Sequence, residues 1–127
     1  MTLRIDEDRW PIAKLIFTDK NGTDEMQSAI RCYQRLFLRS QRFAVISDAR
    51  TAPPPALSDM RVFSAFCKQY EADFKRLCAG VAFVLPGGVL MRMAIRTLMQ
   101  LVDPPFPRHV CTEVTEAEQW CREQLNL

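Results

Sequence analysis

Three features of the chain predict a one-domain α/β fold with a mainly parallel sheet. Short β-branched apolar runs alternate with amphipathic segments of helical period, which calls for right-handed crossovers between neighbouring parallel strands. The opening runs LRIDED and PIAKLIFTD lie too close together for a crossover and read as a strand pair, so the first strand is the antiparallel exception. The length of 127 residues, with 48% hydrophobic and 25% charged residues, suits a single soluble core spanning 1–127. The order along the chain is β-β-α-β-α-β-α-β-α, a sheet flanked by helices.

Each element has its local reason. Pro11 is placed at the start of the second strand, where a missing N–H is tolerated. Lys20-Asn21-Gly22 reads as a turn, and Thr23 as the N-cap of a helix reaching about Ser40, with Asp24 and Glu25 in its first turn. Met26, Ile30, Tyr33 and Phe37 mark its buried face. Arg31, Arg35 and Arg39 fall opposite, as a solvated face or a docking strip for an acidic partner. FAVIS (43–47) is a central strand ending at Asp48. SDARTAPPPALSD (47–59) follows as a loop stiffened by Pro53, Pro54 and Pro55.

Ser58 is read as the cap of the next helix, with Phe63, Phe66, Tyr70, Phe74 and Leu77 on one side. VAFVLP (81–86) is the second central strand, stopped by Pro86-Gly87-Gly88. VLMRMAIRTLMQLV (89–102) is apolar around most of its circumference. It is expected to cover the sheet and to offer a homodimer or partner interface. RHVCTE supplies the last strand, and Thr115 with Glu118 forms a T-x-x-E capping box for the final helix.

Several function classes find no support. A net charge of +2 carries no global attraction for nucleic acid. The apolar windows in 81–102 are broken by Pro86, Gly87, Gly88, Arg92 and Arg96, so no membrane span is expected. The start, MTLRIDEDRW, lacks the pattern of a secretory signal, so a cytoplasmic address is the expectation. Cys32, Cys67, Cys78, Cys111 and Cys121 are odd in number with no CxxC spacing, which points to buried thiols rather than disulfides or a zinc knuckle. A single histidine, His109, rules out a cluster of histidine ligands. Neither a P-loop, a GxGxxG nor a GxSxG is present. No catalytic residue, metal or cofactor is expected.

Loops leaving the carboxyl ends of parallel strands gather on one edge, where ligands usually bind. Asp48, Arg50, Thr51 and the turn at Gly87 and Gly88 are placed there, with Ser58 and Arg61 following on the next helix. Asp48 either contributes to recognition or holds Arg50. Pro86-Gly87-Gly88 before a helix, with Arg92 one turn on, is a small-anion candidate, although a close backbone turn accounts for the glycines equally well.

FAVISDAR, GVAFVLPGG and TEAEQWCREQL, in this order of elements, resemble the STAS fold of anti-sigma factor antagonists, and more closely the bacterial SpoIIAA-like proteins, which share features with CRAL-TRIO lipid-binding domains. The resemblance implies a non-enzymatic regulatory module for signalling, binding a protein partner through the loop and helix after the third strand. The alternative it implies is a protein that binds a small apolar ligand or lipid. STAS regulators carry a phosphoacceptor Ser or Thr near the start of that helix, often as Asp-Ser-x-Gly. Here Leu57-Ser58-Asp59-Met60 departs from that pattern, leaving Ser58 and, more weakly, Thr51 as acceptor candidates.

Overall fold

The computed structural model describes residues 3–19 and 22–127. Two strands, β1 (Leu3–Arg9) and β2 (Ile12–Phe17), precede α1 (Thr23–Leu38) and β3 (Phe43–Asp48). Helices α2 (Leu57–Gln69) and α3 (Glu71–Leu77) lead to β4 (Cys78–Val84), α4 (Val89–Val102), β5 (Arg108–Cys111) and α5 (Val114–Gln124). The sheet runs β1-β2-β3-β4-β5 in sequence order. Among the described residues, β1 and β2 form the antiparallel pair, and β2–β3, β3–β4 and β4–β5 are parallel. The predicted α/β class and its antiparallel exception are therefore what the chain adopts.

A sheet that grows in one direction through right-handed crossovers places every crossover helix on the same face. Alternation along the strands sorts the side chains accordingly. Leu15, Phe43, Val45 and Val81 face the large core with α1, α2 and α3, while Ile12, Ala44, Ile46 and Ala82 face the smaller core beneath α5. The larger core is aromatic. Phe74 meets Phe37 edge-on at 5.0 Å and Tyr33 at 5.3 Å between ring centroids. Fully burying one such ring is worth about 1.5–3 kcal/mol. The smaller core is close-packed instead: a Cβ on Gly80 would lie 2.5 Å from Cη2 of Trp120, so only glycine lets the indole lie against β4.

Several local expectations are corrected, each by a tertiary contact or a neighbouring constraint. The single helix expected over 58–77 is two, interrupted at Tyr70 (φ −107°, ψ 24°). Unbroken, it would run about 30 Å; the bend curls Phe66, Tyr70 and Phe74 around one cluster with Phe37. Ser58 is not a cap. The proline run keeps the chain extended up to Ala56, which is the N-cap, and leaves Ser58 already helical. Thr23 is the first helical residue after the Gly22 N-cap, because its hydroxyl donates instead to the buried Asp59 carboxylate at 3.0 Å. The Glu25 carboxylate closes that terminus by accepting from the Gly22 N–H at 2.9 Å.

At the last helix, Glu113 is the N-cap and the Thr115–Glu118 box does not form. Glu118 is drawn to Lys14 on β2, 2.7 Å away. Pro11 lies in the β1–β2 turn rather than in the strand, and β4 spans Cys78–Val84 rather than the expected 81–86. Lys20 and Asn21 of the expected turn lie outside the described residues. The arginine stripe of α1 is partly structural: Arg39 pairs with Glu7 at 2.7 Å and lies 4.0 Å over the Trp10 ring.

Candidate functional site

Asp48 pairs with Val84 in the β3–β4 ladder, so the 48–56 loop and the 85–88 turn leave the sheet side by side at its carboxyl edge. The polar groups there mostly hold the loop. Asp48, 8% exposed, accepts from the Arg50 backbone N–H at 3.2 Å, from Nε at 3.0 Å and from Nη2 at 2.9 Å. This forked bond pushes the Arg50 guanidinium pKa further up. The Thr51 hydroxyl donates to the carbonyls of Phe17 and Thr18, fastening the loop to the end of β2. Asp48, Arg50 and Thr51 thus share one shallow depression with Ile16 and Phe17.

The other predicted site residues are spread over α2, the adjoining 85–88 turn and α4. Ser58 and Arg61 are exposed on α2, in company with Leu57 and Val62, which are 49% and 39% exposed. Gly87 is exposed, and Gly88 has φ +125°, a conformation that only glycine adopts without strain, to turn the chain into α4. Arg92 lines a cleft with Arg96 and Gln100 of α4 and with Arg108 and His109 of β5. Among the described depressions, one gathers Asp48, Arg50 and Thr51 and another takes Arg92.

What the loop and α4 do enclose is an apolar pocket of about 80 Å³. Pro53, Pro54 and Pro55 form one wall; Met91, Ile95 and Leu98 of α4 form another; Phe63 and Tyr33 close the far side. Ser47 and the Tyr33 phenol are the polar side-chain groups at its wall. Burial pushes the Tyr33 phenol well above its ordinary pKa, so it stays neutral. Met26, Met60, Met91 and Met99 supply adaptable walls. None of the eight predicted residues reaches this pocket. Its trace in the sequence is the run of three prolines and the apolar 89–102 helix, the helix that also favours the apolar-ligand alternative.

Helix α4 is the loosest wall. Its Ile95, Met99 and Val102 are buried, but Val89, Leu90, Met93 and Leu101 are 73%, 84%, 60% and 67% exposed. It packs chiefly on α2 rather than on the sheet. Across the edge strand β5, His109 Nε2 lies 2.8 Å from Glu116 Oε2, and the imidazole stacks on Trp120 with centroids 5.5 Å apart. Cys111 sits two residues along the same strand. All five cysteines are buried and free. Burial pushes the thiols of Cys67, Cys78 and Cys121 up to about 12 and raises those of Cys32 and Cys111, so none is an activated nucleophile. Among the described residues, no helix is long and apolar enough to cross a membrane.

No family model matches the chain, and no curated protein matches it significantly. A solved structure does. It is that of an uncharacterized protein of the DUF3478 family with a SpoIIAA-like fold, from Shewanella loihica PV-4. The TM-score is 0.62 at 11% sequence identity, over 94% of this chain and 91% of that one. The architecture is therefore similar to a SpoIIAA-like fold. At that identity the likeness speaks for the fold alone.

Proposed function

We propose that this protein is a non-enzymatic binding module whose ligand is a small apolar molecule, or the apolar end of a larger one, held between the proline loop and α4. The pocket carries this reading: its wall is almost wholly aliphatic and aromatic, and it lies at the sheet edge where parallel α/β proteins take their ligands. Its volume of about 80 Å³ is roughly half the ~150 Å³ at which an engineered apolar cavity admits benzene. A short aliphatic segment suits it as it stands, and a longer one requires α4 to move outward. The exposed outer face of α4 and its packing on α2 supply that freedom.

Solvent extraction of the protein purified from its native cells, followed by mass spectrometry, tests the reading. A stoichiometric aliphatic compound is expected, absent from an Ile95→Trp variant that fills the pocket. Bare protein from both, together with no binding of an apolar naphthalene fluorophore, would overturn it.

A second reading is a cytoplasmic, STAS-like regulatory module that binds a protein partner through the 48–61 edge. The exposed Leu57 and Val62 on either side of Arg61 favour it, as an apolar patch with a cation at its centre suits docking. In this reading Ser58 and Thr51 are the phosphoacceptor candidates; Ser58 is exposed and Thr51 holds the loop. The exposed stripe of α4 supports the further expectation of a homodimer or partner contact. A partner captured by the wild type should be lost on Arg50→Glu with Arg61→Glu, and retention would discard this surface.

A further inference from the structure

The apolar pocket leaves one chemically rich cluster unused, beside the last strand at the same carboxyl edge of the sheet. Strand β5 is an edge strand, and residues two apart on a strand share a face. His109 and Cys111 therefore project together toward α5. The chain turns at Thr112 and Glu113 and returns as α5, whose first turn carries Glu116 back over the strand. An imidazole nitrogen, a thiol sulfur and a carboxylate oxygen end within 4.8 Å of one another.

We propose that His109, Cys111 and Glu116 form a site for a divalent transition-metal ion of the zinc or cobalt kind. The donor set is the argument. Nitrogen, sulfur and oxygen together match borderline metals rather than magnesium or calcium, which prefer oxygen alone. Bond lengths of about 2.0–2.3 Å put tetrahedral ligands roughly 3.3–3.8 Å apart. The triad already spans no more than 4.8 Å, and the Glu116 side chain, 57% exposed, has room to swing back from its 2.8 Å contact with His109 Nε2 and admit the ion between them. The stack on Trp120 holds the plane of the imidazole. Binding releases one proton: the Cys111 thiol, which now donates to the Glu113 carbonyl at 3.5 Å, becomes a thiolate bonded to the metal.

Thiolate and carboxylate together cancel the charge of the dication, which makes the site compatible with Arg92, Arg96 and Arg108 along the same cleft. Three protein ligands leave a fourth position for water on the cleft side, the arrangement of an open rather than a closed metal centre. This site goes beyond the apolar-ligand reading and does not depend on it.

Titration of the reduced, metal-free chain with cobalt(II) alone tests the proposal. One equivalent should bind with a thiolate-to-cobalt absorption in the near ultraviolet and visible bands of four-coordinate intensity. Cys111→Ser should abolish the ultraviolet band. His109→Gln and Glu116→Gln, at partly exposed positions that the fold tolerates, should each weaken binding at least tenfold, whereas Cys67→Ser should change nothing. Absorption that survives Cys111→Ser, affinity indifferent to His109→Gln, or no saturable binding would each overturn the assignment.

Discussion

The most apolar helix of this protein is its least docked, and one of the more polar is among its best docked. Helix α4 leaves Val89, Leu90, Met93 and Leu101 in solvent and rests mainly on α2. Helix α5 reads VTEAEQWCREQ, yet it lies across β2, β3, β4 and β5 with Ala117 and Cys121 fully buried. The difference is one of shape rather than hydrophobicity. Beneath α5 the strands present Ala44, Ala79, Gly80 and Ala82, small residues that let a helix approach closely. Beneath α4 the aromatic and methionine side chains meet imperfectly and leave a cavity. One face of the sheet is thereby close-packed, and the other keeps a hollow.

Truncation at the centre of the aromatic face should have the largest effect. Phe74→Ala, at a fully buried ring touching Phe37, Tyr33, Phe66 and Phe106, should cost about 3–5 kcal/mol in chemical denaturation. A markedly smaller loss would mean that this face is slack throughout and not only around the pocket.

Alkaline pH should weaken both faces together. Cys67 on one face and Cys121 on the other have thiol pKa values raised by burial from 9.0 to about 12. A raised folded-state pKa contributes stability that is whole below about pH 9 and drains away as pH climbs toward 12. The unfolding free energy should fall between pH 8 and 10.5, by on the order of a few kcal/mol in all. The pH slope should be flatter in Cys67→Ala and in Cys121→Ala.

Gly80→Ala addresses the tight face directly. Its Cβ would meet Trp120 at 2.5 Å and 2.9 Å and the Pro107 carbonyl oxygen at 3.2 Å, so a loss of about 1–3 kcal/mol is expected. Filling the loose face should act with the opposite sign. Ala52→Leu, at the pocket wall, should stabilise the ligand-free protein by up to about 2 kcal/mol while abolishing fluorophore binding. Destabilisation there would show that the space is already taken or the wall unyielding. The smallest effect belongs to the outside of α4, where Leu90→Gln with Leu101→Gln should change monomer stability by less than about 0.5 kcal/mol. A larger loss, read together with sedimentation, would reveal a covering subunit.

The strands and the first buried helix face were legible in the residues, but the contrast between α4 and α5 was not, since α4 was expected to cover the sheet and packs chiefly on α2. The apolar runs FAVIS and VAFV located the two central strands, and the Met26–Tyr33–Phe37 spacing located the buried side of α1. Capping was legible only in part. Ser58 and Thr115 have the chemistry of N-caps, but the proline run moved one helix start and the fold placed the other at Val114. Thr23 was claimed by Asp59, thirty-six residues away in the chain. The spacing His109-x-Cys111 on an expected strand already implied a shared face. Nothing local could announce that Glu116 would return to it, since that depends on how the chain turns after Cys111.

Order of elements, strand direction, the interior place of the thiols and the absence of familiar nucleotide or hydrolase motifs were determined by the amino-acid sequence itself. Those properties arise from periodicity and composition within a few residues. The tertiary structure decided that Asp48 would be spent on Arg50, that the proline loop and α4 would enclose a hollow, and that nitrogen, sulfur and oxygen donors would meet beside β5. Such meetings depend on how far helices stand from the sheet and which strand lies at its border. Side-chain volumes summed across the whole core set those distances, and no single segment carries them.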